Sequence, residues 1–159
     1  METPEKVRLK KSTSKLQLQA PSDGSYLSYI RGLVADLARK IGFPEEEVAK
    51  IEMAVDEACS NIVEHAYSTT KEWCWKQRNP EIRMDVRAEK NSLVIEIHDH
   101  GQKFDFAGYR PDSIEDRIKK MMPHGYGVFI MRKFMDEVHY SSNDETGNTL
   151  RLVKHLKKV

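Results

Sequence analysis

Residues 52–61 read EMAVDEACSN, a stretch in which charged and amide side chains alternate with small apolar ones. At about 100° per residue the apolar positions in and beside it fall on one stripe, which is typical of a helix that packs on a core. That stripe consists of Ile51, Ala54, Val55, Ala58 and Ile62. Glu57 and Asn61 are four residues apart, so they lie one above the other at the edge of the stripe. The stretch predicts an amphipathic helix that carries a carboxylate and an amide beside the core.

This acid and amide pair could do chemistry. The side-chain oxygen of Asn61 is a hard ligand of the kind that Mg²⁺ prefers, and Glu57 could accept a proton from an attacking hydroxyl or water. The segment taken alone is more typical of an ordinary amphipathic helix with polar flanks. The two interpretations stay open on these residues.

A second stretch, residues 99–105, reads DHGQKFD and follows the hydrophobic strand pattern of residues 93–97. An ionised Asp99 only accepts hydrogen bonds, so it could receive the exocyclic amine of adenine. Gly101 would let a base approach the backbone closely. A strand followed by an ordinary turn is the alternative.

A third stretch, residues 125–128, reads GYGV and precedes a segment with an apolar side. The N–H groups at the start of a helix have no partner within the helix and attract phosphate. An ordinary turn from a loop into a helix is again the alternative. Gly-x-Gly alone is therefore too short a pattern to indicate a phosphate site, and a match to a longer motif is needed.

Together, in this order and spacing, the three stretches resemble the N, G1 and G2 boxes of the ATPase fold shared by gyrase, Hsp90, histidine kinases and MutL. Residues 99–105 match the G1 pattern Asp-x-Gly-x-x-Phe-Asp at its fixed positions. Residues 127–140, GVFIMRKFMDEVHY, resemble the G2 box and following helix of the small anti-sigma-factor serine kinases of bacterial partner-switching systems. The resemblance covers residues 16–156, nearly the whole chain.

The resemblance implies an α+β fold, a two-layer sandwich of the Bergerat type. Its helices would lie on one face of a mixed, mainly antiparallel sheet. It implies ATP and Mg²⁺ as cofactors, with Glu57 as general base and Asn61 as the ligand that holds Mg²⁺. It assigns adenine recognition to Asp99, with Gly101 beside it and Phe104 under the hinge of an ATP lid.

The resemblance also assigns the nucleotide's phosphates to Gly125, Tyr126, Gly127 and Val128. Residues 147–150, GNTL, resemble a Gly-Thr-Thr stretch that opens the last strand of the family. By that likeness Thr149 would hydrogen-bond near the adenine-binding acid. Asn148 replaces the first threonine, and we expect this departure to matter little.

The chain reads as a polar extension, residues 1–14, followed by one domain, residues 15–159. Hydrophobic periodicity predicts strands and helices in the order strand, two helices, two strands, helix, two strands. The predicted elements are residues 15–19, 26–40, 45–67, 82–89, 93–99, 126–135, 138–142 and 149–156, with a further short helix near residues 114–122 in the segment between the second and third stretches. This order alone supports only an α+β protein.

Composition narrows the class of protein. A chain of 159 residues with net charge +1 implies no general attraction to nucleic acid or membranes. Cys59 and Cys74 are the only cysteines, and without CxxC spacing they favour reduced thiols in the cytoplasm. No apolar run approaches the roughly 18 residues of a membrane span.

The resemblance therefore implies an ATP-dependent serine/threonine protein kinase. It would phosphorylate a small anti-sigma-factor antagonist protein and sequester a sigma factor or a similar target, and the family commonly forms homodimers. Two alternatives remain open: a non-catalytic regulator whose partner affinity depends on the nucleotide, and a docking module with an inactive pocket. In the docking module Trp73, Trp75 and Tyr109 would contact the partner.

Overall fold

The computed structural model describes residues 14–66, 80–106 and 126–157. Several expectations lie outside these residues: the extension up to residue 13, the tryptophan-bearing connection, most of the lid segment and Gly125. None of the helices in the described ranges is long and apolar enough to cross a membrane.

Five strands form one sheet in the spatial order β1-β2-β3-β5-β4. All four described strand pairings are antiparallel, so the sheet is antiparallel throughout rather than mixed. The strands are β1 Ser14–Pro21, β2 Glu81–Glu89, β3 Ser92–Asp99, β4 Glu137–Asn143 and β5 Gly147–His155.

Three α-helices pack on one face of this sheet: α1 Leu27–Ile41, α2 Glu45–Asn61 and α3 Gly127–Phe134. A 3₁₀ turn, Gly24–Tyr26, precedes α1. The predicted α+β class and two-layer sandwich are thus confirmed. The helix predicted for residues 45–67 is α-helical only as far as Asn61. The chain then continues as one π-helical turn, Ile62–Ala66. Such turns are uncommon and frequently occur at functional sites.

Local sequence explains where α1 ends and α2 begins. Gly42 has φ 109°, a left-handed conformation that favours glycine, and its N–H bonds the carbonyls of Ala38 and Arg39. Helix α2 then opens with three glutamates, residues 45–47, where the helix dipole stabilises negative charge. The two helices consequently turn back on each other within a short connection.

Alternation along β3 separates the core from the outer face of the sheet. Leu93, Ile95 and Ile97 face the helices and are fully buried, and each contributes about 1.5–3 kcal/mol by leaving water. Asp99 is the next residue on the same face, at the point where the strand ends. The period of two therefore places an acid at the end of a row of core side chains.

Lys154 fixes the helices against the sheet. Its ammonium group lies 2.7 Å from the Glu47 carboxylate at the start of α2, and it donates to the Phe134 carbonyl at the end of α3, also at 2.7 Å. Only 9% of the Lys154 side chain is exposed. One buried cation thus joins β5 to both helices that border the site described below.

Candidate functional site

A cavity of about 380 Å³ lies between α2, the end of β3 and α3. Of the predicted site residues, Asn61, Asp99, Phe104 and Val128 line it. Its other described lining residues come from the helices, the strand ends and the loop after β3: Ala58, Ile62, Ala66, Gln102, Lys103, Phe106, Met131, Tyr140 and Leu150. The wall is mainly apolar, with polar groups at a few points, as in many small-molecule sites.

Glu57 and Asn61 meet the first residue of α3. A Cβ atom placed on Gly127 would lie 2.9 Å from Oε2 of Glu57 and 3.1 Å from Nδ2 of Asn61. Both distances are shorter than an ordinary carbon contact, so a larger residue at this position would displace the ends of both side chains. The carboxylate, the amide and the N-terminus of α3 are therefore brought together as the sequence predicted.

The surroundings of Glu57 favour its protonated form. Partial burial raises the pKa of this carboxyl, and the negative charges of Asp56 and Glu64 raise it further. A carboxylate with a raised pKa accepts a proton more readily than one in water. Glu57 consequently has the electrostatic setting of a general base.

Asp99 is a buried acid whose two oxygens have different surroundings. Oδ1 accepts hydrogen bonds from the N–H of Gly101 at 2.8 Å and from Nδ2 of Asn148 at 2.9 Å. Burial raises the pKa of Asp99, while these two bonds act in the opposite direction. Among the described residues both hydrogen bonds go to Oδ1, which leaves Oδ2 available to a ligand in the cavity.

The prediction that Thr149 hydrogen-bonds near Asp99 is wrong, because the preceding residue, Asn148, makes that contact. In the β3–β5 register Asp99 pairs with Asn148, and His98 pairs with Thr149. Successive side chains point to opposite faces of a sheet, so Thr149 lies on the outer face, where its Oγ1 is 2.9 Å from Nδ1 of His98. The departure from the family pattern at Asn148, expected to matter little, supplies the contact with the acid.

Gly101 packs against the π turn at the end of α2, and its predicted role in the approach of a base stays a prediction. A Cβ atom at this position would overlap Cβ and the carbonyl group of Ala66 in the π turn. The next residue, Gln102, donates its N–H to the Ala66 carbonyl at 2.8 Å. The glycine thus lets the loop after β3 lie directly against the end of α2, which fixes Asp99 relative to Asn61.

An aromatic group that the motifs did not indicate lines one side of the cavity. The rings of Phe106 and Tyr140 stack with centroids 5.8 Å apart, and the Arg132 guanidinium lies 4.7 Å from the centre of the Phe106 ring. Arg132 also donates to the Phe106 carbonyl at 3.1 Å. Tyr140 occupies a helix-facing position of β4, and only the strand pairing places it here.

Phe104 joins this group from the loop. Its N–H donates to the Tyr140 hydroxyl at 3.0 Å, and its ring meets Phe106 edge to face at 6.4 Å. Its side chain is still 45% exposed. The ring is therefore in a position to contact a ligand at the cavity mouth, beside the place where the described part of the loop ends at residue 106.

The remaining predicted phosphate residues surround the start of α3. Tyr126 immediately precedes the helix, and its carbonyl accepts the N–H of Ile130 at 2.8 Å. Val128 is buried and lines the cavity. Gly125 lies outside the described residues, so its part in the site stays a prediction.

Comparison with known proteins agrees with this architecture. A family model described as a histidine kinase-like ATPase domain matches residues 20–154. The protein named serine-protein kinase RsbW from Bacillus cereus (strain AH820) is 27% identical over 148 residues, covering 91% of this chain and 86% of that protein. A protein of the same name from Bacillus thuringiensis (strain Al Hakam) is 26% identical over the same length.

A solved structure shares the fold. It is described as the RsbU and RsbW domains of Rv1364c from Mycobacterium tuberculosis, and it superposes with a TM-score of 0.60 at 16% identity. The alignment covers 92% of this chain and 34% of the solved one, so this chain corresponds to about one third of it. The family match spans the sheet, the helices and the cavity, and the proteins named serine-protein kinase RsbW are similar to this chain over most of its length. This chain therefore belongs to the histidine kinase-like ATPase domain family.

Proposed function

We propose that this protein binds ATP with Mg²⁺ in the cavity and transfers the γ-phosphoryl group to a serine or threonine of a partner protein. One observation carries the proposal. Asn61 and Asp99 line the same cavity, and Glu57 lies beside Asn61 at Gly127, where α3 begins. A nucleotide needs groups of both kinds, one set for its phosphates and one for its base.

The residues fit the nucleotide. About 380 Å³ is within the usual range for small-molecule sites, and the apolar and aromatic wall suits a flat base. Asp99 would accept the exocyclic amine of adenine through Oδ2. The free N–H groups where α3 begins would face phosphate.

The residues also fit Mg²⁺. Asn61 offers an amide oxygen, which is a hard neutral donor suited to this ion. The side chain lies beside the start of α3, where the absence of a Cβ atom on Gly127 keeps the space open. Asn61 would therefore hold the ion next to the phosphates.

Bound MgATP would supply the phosphoryl group, with the ion offsetting the charge that develops on it. Glu57 would accept the proton of the attacking serine or threonine hydroxyl, a role that its raised pKa supports. Phe104 and the stacked pair of Phe106 and Tyr140 would limit the access of water to the base.

The proposed partners follow from the resemblance to the anti-sigma-factor kinases. The phosphorylated protein would be a small anti-sigma-factor antagonist, and the protein held in complex would be a sigma factor or a similar target. The relatives' name, serine-protein kinase, supports the reaction type. Assembly as a homodimer in the cytoplasm is part of the same proposal.

Calorimetric titration with ATP and ADP, with and without Mg²⁺, tests the proposal. Wild type should bind ATP with an affinity that Mg²⁺ increases, and Asn61→Ala should lose most of that increase. Glu52→Gln is the matched control, because Glu52 is an acid of the same helix that pairs with Arg31 at 3.8 Å, away from the cavity. No nucleotide binding by wild type would overturn the proposal and favour the docking module.

A further inference from the structure

Three side chains of the kinds that bind metal ions meet on the outer face of the sheet, opposite the helices and the proposed nucleotide cavity. Asp85 on β2 and Glu96 on β3 are directly paired, and His98 follows two residues later on the same face of β3. One ligand atom from each side chain lies within 4.8 Å of the others. The side chains are largely buried, with exposed fractions of 12%, 20% and 19% respectively.

One ring nitrogen of His98 makes a hydrogen bond that orients the ring, and the other nitrogen is available to bind a metal ion. Nδ1 lies 2.9 Å from the hydroxyl oxygen of Thr149. Nε2 is buried, has no hydrogen-bond partner among the described residues, and faces Oδ2 of Asp85 at 3.8 Å. Donation from Nδ1–H to Thr149 places a lone pair on Nε2, the arrangement that metal-bound histidines commonly show.

In each of the two carboxylates, one oxygen accepts a short hydrogen bond and the other oxygen does not. Oδ1 of Asp85 accepts from Gln17 at 2.9 Å, and Oε2 of Glu96 accepts from Arg87 at 2.9 Å. Like charges that face each other directly across a strand pair are destabilising. Arg87 offsets part of that repulsion at Glu96, and a metal ion between Asp85 and Glu96 would offset the remainder.

Two side-chain cations already lie near these oxygens at longer range. The Lys15 ammonium is 3.4 Å from Oδ2 of Asp85, and Nε of Arg151 is 3.9 Å from Oε1 of Glu96. The Lys15 side chain is 44% exposed and attached through a flexible stem, so it can move into solvent. Lys15 is therefore the group that a metal ion would displace from Asp85.

We propose that Asp85, Glu96 and His98 bind a divalent transition-metal ion of the zinc type, at a site separate from the nucleotide cavity. One imidazole nitrogen and two carboxylate oxygens form a ligand set that Zn²⁺ accepts at about 2.0–2.2 Å. The nitrogen ligand favours such ions over Mg²⁺. The ion would join β2 to β3, and water or a partner's side chain would complete its coordination.

The test uses the whole 159-residue chain, treated with a chelator to remove bound metal ions and then dialysed. Cobalt(II) is titrated in and followed by its visible absorption, and zinc is then added as a competitor. We expect one cobalt ion per chain to show absorption typical of nitrogen and oxygen ligands and to be displaced by zinc. His98→Ala should remove this binding, whereas His139→Ala should retain it.

His139 is a suitable control because it lies on the same face of the sheet, where it is exposed and pairs with Glu137 at 3.2 Å. Asn61→Ala should also retain cobalt binding, which separates this site from the proposed magnesium site. Lys15→Met should bind cobalt more tightly than wild type, because the competing ammonium is gone. Should His98→Ala fail to fold, Glu96→Gln replaces it with the same expectation.

Two outcomes would overturn the proposal. One is the absence of saturable cobalt binding in the wild-type protein. The other is an equal effect of His98→Ala and His139→Ala, which would mean that cobalt binds surface histidines without a defined site. Neither outcome bears on the nucleotide cavity, so the proposed kinase function is tested independently.

Discussion

Asn148 donates a hydrogen bond from Nδ2 to Oδ1 of Asp99 at 2.9 Å, across the pairing of β5 with β3. The same amide group lies 3.0 Å from the Gly101 carbonyl and 3.3 Å from the Gln102 carbonyl. Its oxygen accepts from the Ser142 hydroxyl at 2.7 Å. One side chain therefore holds both the acid, which lines the cavity, and the loop after it.

Replacement of Asn148 should affect both stability and nucleotide binding. Asn148→Ala leaves several buried groups without a partner, which we expect to lower the free energy of unfolding by about 1–3 kcal/mol. It should also weaken ATP binding, because Asp99 loses the bond that fixes its orientation. Urea denaturation and calorimetric titration measure the two effects.

Asn143→Ala is the control for this change. Asn143 belongs to the same hairpin, but among the described residues its side chain accepts only the N–H of Glu145, at an exposed turn. We expect a change in stability within about 0.5 kcal/mol and unchanged ATP affinity. Equal effects of the two alanine variants on ATP binding would contradict the role given to Asn148.

A methyl group at Gly127 should disturb the end of the cavity where α3 begins. In Gly127→Ala the new Cβ would lie 2.9 Å from the Glu57 carboxylate and 3.1 Å from the Asn61 amide, so both must move. We expect weaker Mg²⁺-dependent ATP binding and slower phosphoryl transfer, measured by titration and by a single-turnover assay.

The chain supplies a matched glycine for comparison. Gly32 lies within α1, and a Cβ atom there would meet nothing within 4 Å. Gly32→Ala should raise the free energy of unfolding by about 0.5–1 kcal/mol, because alanine loses less conformational freedom in a helix. Nucleotide binding should not change, and a loss of binding in this variant would mean that the effect at Gly127 is not local.

Glu57→Gln should separate catalysis from binding. The amide keeps the size of the side chain but cannot accept the hydroxyl proton, so phosphoryl transfer to the antagonist protein should fall by about 10²–10⁴-fold. ATP affinity should remain close to that of wild type. Single-turnover transfer from labelled ATP measures the rate, with Glu52→Gln as the control on the same helix.

The pH dependence of the same reaction gives a second measurement. Because burial raises the pKa of Glu57, the fraction of ionised base decreases at a higher pH than it would for a carboxyl group in water. The rate of the wild-type enzyme should therefore decline on acidification earlier than an unperturbed glutamate predicts. A full rate for Glu57→Gln across the pH range would remove Glu57 from the mechanism.

Glu47 should account for part of the decrease in the free energy of unfolding at acidic pH. Its hydrogen bonds with Lys154 and Lys50 lower its pKa from 4.5 to about 2. A lowered folded-state pKa stabilises the protein above the unfolded value of 4.5, and this contribution is lost as the pH falls from there towards about 2. Its size is on the order of 3 kcal/mol.

Glu47→Gln should therefore be less stable than wild type at neutral pH and show a smaller further loss between these two pH values. Glu46→Gln is the control, because Glu46 is an exposed neighbour whose carboxylate pairs only with Lys50 at 3.0 Å among the described residues. Urea denaturation at several pH values measures the difference. Parallel pH profiles for wild type and Glu47→Gln would contradict the assignment.

The sequence determined the local features of this protein. Among the eight α-helices and strands of the described residues, periodicity predicted seven within a few residues at both ends. The α-helical end of α2 differed because the chain continues as a π turn. The spacing of Glu57 and Asn61 placed both beside the core, since four residues bring two side chains together on any α-helix. The order of the three motifs predicted the family that the comparison confirmed.

Only the tertiary structure decided which side chains meet across the sheet. The β3–β5 register pairs Asp99 with Asn148 and places Thr149 on the outer face, because a shift of one residue moves a side chain to the opposite face of a strand. The same pairings place Tyr140 in the cavity wall and bring Asp85, Glu96 and His98 together. Contacts within a helix follow from spacing along the chain, whereas contacts between strands depend on a register that no local pattern specifies.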